Sequence, residues 1–295
     1  MPAISCSCSR TGHALALYSG HIHDQYTRMT LRAIPLAEST LAWRWRQGQL
    51  QAIEKTQALP LANLLNIDRQ KLSLRRNTEQ FVRGLPANHV LLTGARGTGK
   101  SSLVKALLHE FASDGLRLIE VPPHDLIDLP DIVAPLRGRA EKFILYVDDF
   151  SVASNDPALI ALKTALDGGV EEAPDNVLIY ATSNRRYLMP SLKSDNAEYQ
   201  WIDDEVHPGE SVEEKISLSE RFGLWLSFLA FGQNEYLDLV QHHLQQLGYS
   251  DWNDQVRGEA LRWAQTRASR SGRVAMQFAR DWSGRQKLSL SESSQ

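Results

Sequence analysis

Cysteine is almost absent from this sequence: two among 295 residues, Cys6 and Cys8, too close to each other and to the terminus to frame a fold with disulfides. That fits a reducing compartment. Long apolar runs are missing as well. None approaches the roughly 18 to 20 residues that span a bilayer, and the first residues lack a basic start followed by an uninterrupted apolar stretch. Neither anchoring nor export is indicated, and the expectation is a cytoplasmic protein. A surplus of one charge is also lacking. The net charge is -3 and the pI about 6.3, so no global field draws the chain onto nucleic acid or an anionic membrane. Metal-ligand spacing is missing too: Cys6, Cys8, His13, His21 and His23 match no finger or ribbon pattern, and His207, His242 and His243 stand apart from any ligand set as surface histidines.

What is present is the composition of a globular protein with one large or two modest domains, 42% hydrophobic and 23% charged. Residues 1–40 carry scattered His, Ser and Thr without periodicity and read as a loose tail, and Met29 inside it points to an over-extended start. From Leu41 the chain is patterned. Leu41 to Ile53 places apolar residues at helical intervals, Pro60 interrupts, and Leu64, Leu65 and Ile67 lead into a helix through Leu72, Leu74 and Phe81, so 41–86 reads as a helical lead-in. The run Trp43-Arg44-Trp45-Arg46 offers two readings: stacking on bases, or indoles buried with the arginines left in water, and the second is preferred.

Residues 87–232 alternate short β-rich runs with helical stretches, the signature of a parallel sheet with crossover helices. The runs are Val90 to Thr93, Leu116 to Val121, Phe143 to Val147 and Val177 to Ala181, with helices over Lys100 to Ala112 and Pro157 to Leu166 and a weaker one near Leu129 to Arg137. Leu224 to Phe231 fits either a fifth strand or a buried helix turn. After Gly232 only helices follow, over Tyr236 to Leu247, Gln255 to Thr266 and Arg273 to Trp282, which gives a small helical lid over 233–285 and a tail over 286–295. The predicted fold class is α/β: a P-loop NTPase parallel sheet followed by a small helical domain.

The strongest chemical signal is Gly94-Ala95-Arg96-Gly97-Thr98-Gly99-Lys100-Ser101, which satisfies G-x-x-x-x-G-K-[ST] between a strand and a helix. Gly97 and Gly99 let the backbone turn its N–H groups toward phosphate, and the start of the helix, with Ser102 in its first turn, adds the positive end of a dipole. Lys100 brings a charge to the β and γ phosphates, and the Ser101 hydroxyl is a hard oxygen ligand for Mg²⁺. The sequence therefore predicts ATP and Mg²⁺ as ligands. A second signal is Phe143-Ile144-Leu145-Tyr146-Val147-Asp148-Asp149, an apolar strand ending in two acids. Beside a P-loop, Asp148 supports Mg²⁺, while Asp149 orients or polarises the attacking water.

The order of these motifs resembles the AAA+ ATPases. In more detail Gly94 to Leu107, Lys163 to Asn184, Ser217 to Phe228 and Arg270 to Asp281 are similar to a bacterial AAA+ group, the domain-of-unknown-function 815 family, over roughly Leu61 to Trp282. The resemblance implies roles for three further residues. Asn184, closing the strand from Val177, matches the sensor that holds the attacking water. Arg221 stands where such ATPases carry the finger that reaches a neighbouring subunit's nucleotide. Its alternatives are a salt bridge with Glu220 or Glu214, and Arg185 or Arg186 as the finger. Arg273, with Arg270 as rival, matches the second sensor, which contacts phosphates of its own subunit. Asp148-Asp149 departs from the Asp-Glu usual in that superfamily; the second acid is one methylene shorter, which points to slow hydrolysis.

Three functional classes share this site. The preferred one is an ATPase that assembles with copies of itself and remodels a partner protein, with Arg221 acting across the interface. The second is a nucleic-acid machine such as a helicase loader, and the third a small-molecule P-loop kinase, which leaves Arg221 and the lid arginine without a purpose. From Asp195 to Glu214 there are eight acids and no Lys or Arg, so this loop repels a phosphate backbone. Between Val121 and Phe143 no aromatic-apolar-glycine element of the kind that grips polypeptide is present, and threading is not predicted.

Overall fold

The computed structural model of the chain describes residues 39–56, 59–150, 157–167, 174–184, 200–202, 205–207, 218 and 220–292. All but the last two residues of the expected tail over 1–40 lie outside them. The elements in chain order are β1 (Ala42–Arg46), β2 (Gln49–Ala52), α1 (Asp68–Val82), β3 (Val90–Gly94), α2 (Lys100–Glu110), β4 (Leu116–Glu120), α3 (Leu129–Val133) and β5 (Lys142–Val147). They continue with α4 (Pro157–Asp167), β6 (Val177–Ser183), β7 (Gln200–Ile202), β8 (Glu205–His207), β9 (Leu224–Phe228), α5 (Gln233–Gln246), α6 (Asp254–Thr266) and α7 (Gly272–Glu292). Seven strands form one sheet in the order β2-β1-β4-β5-β6-β3-β9. Every neighbouring pair in it is parallel except the β1–β2 hairpin.

Parallel strands joined by helical crossovers are covered on both faces, so they read as continuous apolar runs. β3 and β6 are buried at every residue. On one face Val90, Leu92, Ile144 and Tyr180 pack with Leu74 and Phe81 of α1 and with Leu103 and Leu107 of α2. Polar groups fix the packing angle of α1. The Asn77 side chain exchanges two hydrogen bonds of 3.0 Å with the backbone of Asn88, and the buried Tyr180 hydroxyl receives Asn77 Nδ2 at 3.1 Å. β9 is the strand of the two alternatives left open for Leu224 to Phe231. It runs parallel to β3 from Val90↔Leu224 to Gly94↔Phe228.

The helix expected over Leu41 to Ile53 is a β-hairpin. Trp43, Trp45 and Leu50 are buried while Arg44, Arg46 and Gln49 are exposed, and this two-residue alternation also satisfies a loose helical spacing in so short a window. The deciding signal is Gln47-Gly48, both at positive φ (53° and 71°), the conformation of a two-residue turn whose twist matches a hairpin. β1 then adds to the sheet beside β4, and Arg44 binds Glu120 through Nε at 3.0 Å and Nη2 at 2.8 Å. Both indoles are occupied by packing, and Trp45 Nε1 donates to Asp128 at 2.8 Å. That removes them as base-stacking platforms.

The C-terminal helices bury Tyr236, Val240, Leu244, Val256, Ala260, Phe278 and Trp282 in a cluster continuous with the core of the sheet. α7 runs to Glu292, so most of the tail expected over 286–295 is helical. Gly284 and the polar residues after it extend the helix because nothing there removes a backbone donor, as proline would. Within the acidic stretch, β7 and β8 pair as a small antiparallel hairpin ending at His207, rather than as open loop. The rest of Asp195 to Glu214 lies outside the described residues. No helix among the described residues is long and apolar enough to cross a membrane.

His89 leads into β3 and ties two strands: its Nδ1 accepts Ile179 N at 3.0 Å, and its carbonyl accepts Leu224 N at 3.2 Å. Burial pushes the imidazole down to about 4 from 6.5. The neutral ring is the folded form, so its contribution is complete above pH 6.5 and is lost as pH falls toward 4. We expect stability to fall by on the order of 3 kcal/mol through that window. Thermal unfolding at stepped pH checks this, and His89→Gln should flatten the slope.

Candidate functional site

Three adjacent strand ends, those of β5, β6 and β3, meet the start of α2, and the polar groups gathered there bond one another. Gly94, Gly97 and Gly99 all take positive φ (126°, 70° and 101°). A Cβ on Gly94 would lie 1.9 Å from Phe228 O, so this glycine lets β9 close against the strand, and Ala95 N then donates to that same carbonyl at 3.0 Å. Gly97 faces the lid: a Cβ there would come within 2.8 Å of Ser271 Cβ and 3.6 Å of Arg273 Cβ, and Gly97 O accepts Gly272 N at 2.8 Å. Arg273 is therefore beside the P-loop. Arg96 and Arg273 are exposed, and Thr98 is buried with its hydroxyl on Ala95 O at 2.8 Å.

Lys100 is 5% exposed, and its ammonium donates to Gly94 O (2.9 Å), Ala95 O (2.8 Å) and Asn184 Oδ1 (3.2 Å). Burial lowers its pKa, opposed by the charges of Asp148 and Asp149. None of its three hydrogen-bond partners is a carboxylate, so in direct contact the charge meets only dipoles. Asp148 lies opposite. Its Oδ1 accepts Ser101 Oγ (2.8 Å), Tyr146 OH (2.7 Å), Thr182 Oγ1 (2.6 Å) and Asp149 N (3.2 Å). Burial alone would raise the Asp148 carboxyl, but the donors from Thr182, Tyr146 and Ser101 hold it below the ordinary value. It is a carboxylate at neutral pH, touching a serine hydroxyl: two hard oxygens that fit Mg²⁺. Burial, followed by the Asp148 charge, pushes Tyr146 up and keeps it a neutral donor.

Asp149 is exposed and takes φ 52°. Its N–H donates to Thr182 Oγ1 at 2.9 Å, and its Oδ1 accepts Asn184 Nδ2. Asn184 thus joins Asp149 to Lys100 through the two ends of one amide. Arg221 is apart from this group. It binds Asp167 at the end of α4, with Nε 2.7 and 2.8 Å from the two carboxylate oxygens, while Glu214, one of the partners weighed from the sequence, lies outside the described residues. α4 brings Asp167 to Arg221 just ahead of β9, a proximity that sequence spacing does not encode. Arg185 and Arg186 lie outside the described residues. Arg270 and Ser102 are exposed and half-buried respectively.

Sequence reading missed Thr182, Tyr146 and the Ser271-Gly272 contact. Signals existed for two of them: a hydroxyl two residues before Asn184 on a buried strand, and one tyrosine as the single hydroxyl in the apolar run Phe143 to Val147. Among the described residues no His, Cys, Asp and Glu cluster suits a metal by itself. A cavity of about 830 Å³ between α1 and α2, lined by Leu59, Leu61, Lys71, Leu72, Arg75 and Ala106 among others, shares no residue with the P-loop.

Among solved structures, the Orc1 protein of Aeropyrum pernix in complex with DNA aligns with TM-score 0.51 at 14% identity, over 76% of this chain and 63% of that one. The Thermotoga maritima RuvB Holliday junction branch migration motor aligns at 0.46 and 17% identity, over 72% and 59%, and a point mutant of it at 0.49 and 16%, over 75% and 63%. The chain spans about three fifths of the length of these structures. No curated protein matches. The Orc1 likeness bears out the fold, a mostly parallel AAA+ type P-loop sheet with a helical C-terminal region. A family model described as "Protein of unknown function (DUF815)" matches residues 38–286, and the chain belongs to that family.

Proposed function

We propose that this protein binds Mg-ATP at the P-loop and hydrolyses it, assembling with copies of itself to act on a partner protein in the cytoplasm. The observation that carries the reading is the buried Lys100 ammonium, held by two loop carbonyls and the Asn184 amide with no carboxylate in contact. A buried charge that touches no counter-charge is costly, even with Asp148 and Asp149 acting on it at longer range. An anion at the loop relieves that cost, and polyphosphate fits the inward-turning glycines and the helix start. Ser101 and Asp148 would hold Mg²⁺, which supplies neutralisation of charge on the phosphate oxygens. Asp149 is the base or water-orienting group, Asn184 fixes its carboxylate, and Arg273 reaches the phosphates from the lid.

Arg221 is assigned to the neighbouring subunit's nucleotide. Asp167, one of the groups it binds, is 49% exposed and Arg221 itself 28%, and an ion pair this open is worth about 0 to 1 kcal/mol. A second reading, a nucleic-acid-linked ATPase, is favoured by one observation: the stretch from Asp254 to Lys287 carries eight Lys or Arg against three acids, the opposite balance to the Asp195 to Glu214 stretch. Fluorescence anisotropy with labelled DNA at stepped salt separates the readings, since phosphate contacts give a steep salt slope.

Calorimetry with Mg-ATP tests the site: Lys100→Ala abolishes binding, whereas Asp149→Asn keeps it and loses turnover. Undiminished affinity in Lys100→Ala overturns the assignment. Arg221→Ala is expected to lower turnover by roughly 10³ to 10⁵-fold with ATP affinity retained. Mixing it with Lys100→Ala should restore part of the rate, because some interfaces then combine a whole ATP site with a whole finger. Coassembled mutants that stay inactive at every ratio rule out action across the interface.

A further inference from the structure

Asp149 occupies the left-handed region (φ 52°), which L residues enter at a cost that is smallest for asparagine and aspartate. Something must hold it there. Asp148 Oδ1 accepts Asp149 N at a longer 3.2 Å and Asn184 binds the Asp149 carboxylate, but the shortest contacts on the turn backbone come from Thr182, a residue 1% exposed near the end of β6. Its hydroxyl accepts Asp149 N at 2.9 Å and donates to Asp148 Oδ1 at 2.6 Å, and its carbonyl accepts Phe150 N at 2.6 Å. Three consecutive residues of the turn after β5 are thus fastened to one threonine. Phe150, fully buried, anchors the far side of the turn.

We propose that the Thr182 hydroxyl is a positioning residue for hydrolysis, setting the left-handed turn that aims the Asp149 carboxylate at Asn184 and the Lys100 side of the P-loop. This rests on the ATPase reading above. The same geometry accounts for aspartate where the wider superfamily has glutamate. A left-handed residue directs its side chain differently from one in extended backbone, and aspartate combines tolerance of that conformation with the short reach that meets Asn184. The hydroxyl uses its single proton on Asp148 and a lone pair on Asp149 N, so it couples the orientation of both acids. Valine has the same shape and can do neither; serine can do both.

The test compares Thr182→Val and Thr182→Ser in the full chain, reading Mg-ATP affinity by calorimetry, turnover, and hydrogen exchange at the Asp149 amide. Thr182→Val is expected to lower kcat by about 10 to 100-fold with Kd within about threefold, and Thr182→Ser to restore most of it, as for groups that orient a ligand through another residue. The Asp149 amide should be protected in the wild type and in Thr182→Ser, and exposed in Thr182→Val. Asp149→Glu should lower turnover, not raise it. Wild-type kcat in Thr182→Val, or an equally protected Asp149 amide, overturns the proposal. If the wild type itself hydrolyses no ATP, the ATPase reading falls, while the exchange measurement still decides whether Thr182 sets the turn. Thermal unfolding of both variants identifies any loss of kcat that comes from misfolding, and in that case Thr182→Ser decides: failure of a folded serine variant to recover activity also overturns the proposal.

Discussion

One carboxylate oxygen, Oδ1 of Asp148, receives a serine from the first turn of α2, a tyrosine from its own strand, a threonine from β6 and the backbone of the next residue. It is the point where strand, neighbouring strand and P-loop helix are tied together. The reason is burial. Tyr146 and Thr182 are each 1% exposed, so their hydroxyls have little water to turn to, and an unpaired buried donor costs about 1 to 3 kcal/mol. Satisfying each other is the arrangement that avoids this cost. It also keeps Asp148 ionised despite its burial, the state that a divalent cation requires.

The positive half of the site is built by the opposite rule. Lys100 is surrounded by carbonyl and amide oxygens, not by carboxylates, so its charge is solvated by the loop without being cancelled. Asp148 and Asp149 influence it electrostatically without touching it. Asn184 stands between the two halves, giving Oδ1 to the ammonium and Nδ2 to Asp149. A change at the P-loop that draws Lys100 away therefore alters the bonding of the acid assigned to water activation.

The lid reaches the same place through backbone. Gly97 O accepts Gly272 N, and Ser271 lies where any Cβ on Gly97 would be. α7 thus begins against the P-loop, while its far side packs in the core shared with α5. This contact gives the helical region a direct mechanical link to the loop, and it places Arg273 beside the proposed phosphates with no long-range coupling required.

The sequence by itself determined the four central strands β3 to β6, their crossover helices, the P-loop and the paired acids, because buried parallel strands demand continuous apolar runs and a phosphate loop demands glycines and lysine in fixed order. The hairpin over Ala42 to Ala52 was misread because alternation across a few residues satisfies two periods at once; only Gln47-Gly48 at positive φ separates them. Tertiary structure alone decided the rest. It brought Thr182 to Asp149, Asn184 to Lys100, Asp167 to Arg221 and Ser271 to Gly97, pairs separated by 33, 84, 54 and 174 positions respectively. Local pattern carries no record of such pairs, since they meet through strand order and helix packing, and a parallel sheet sets neighbours that the chain order does not.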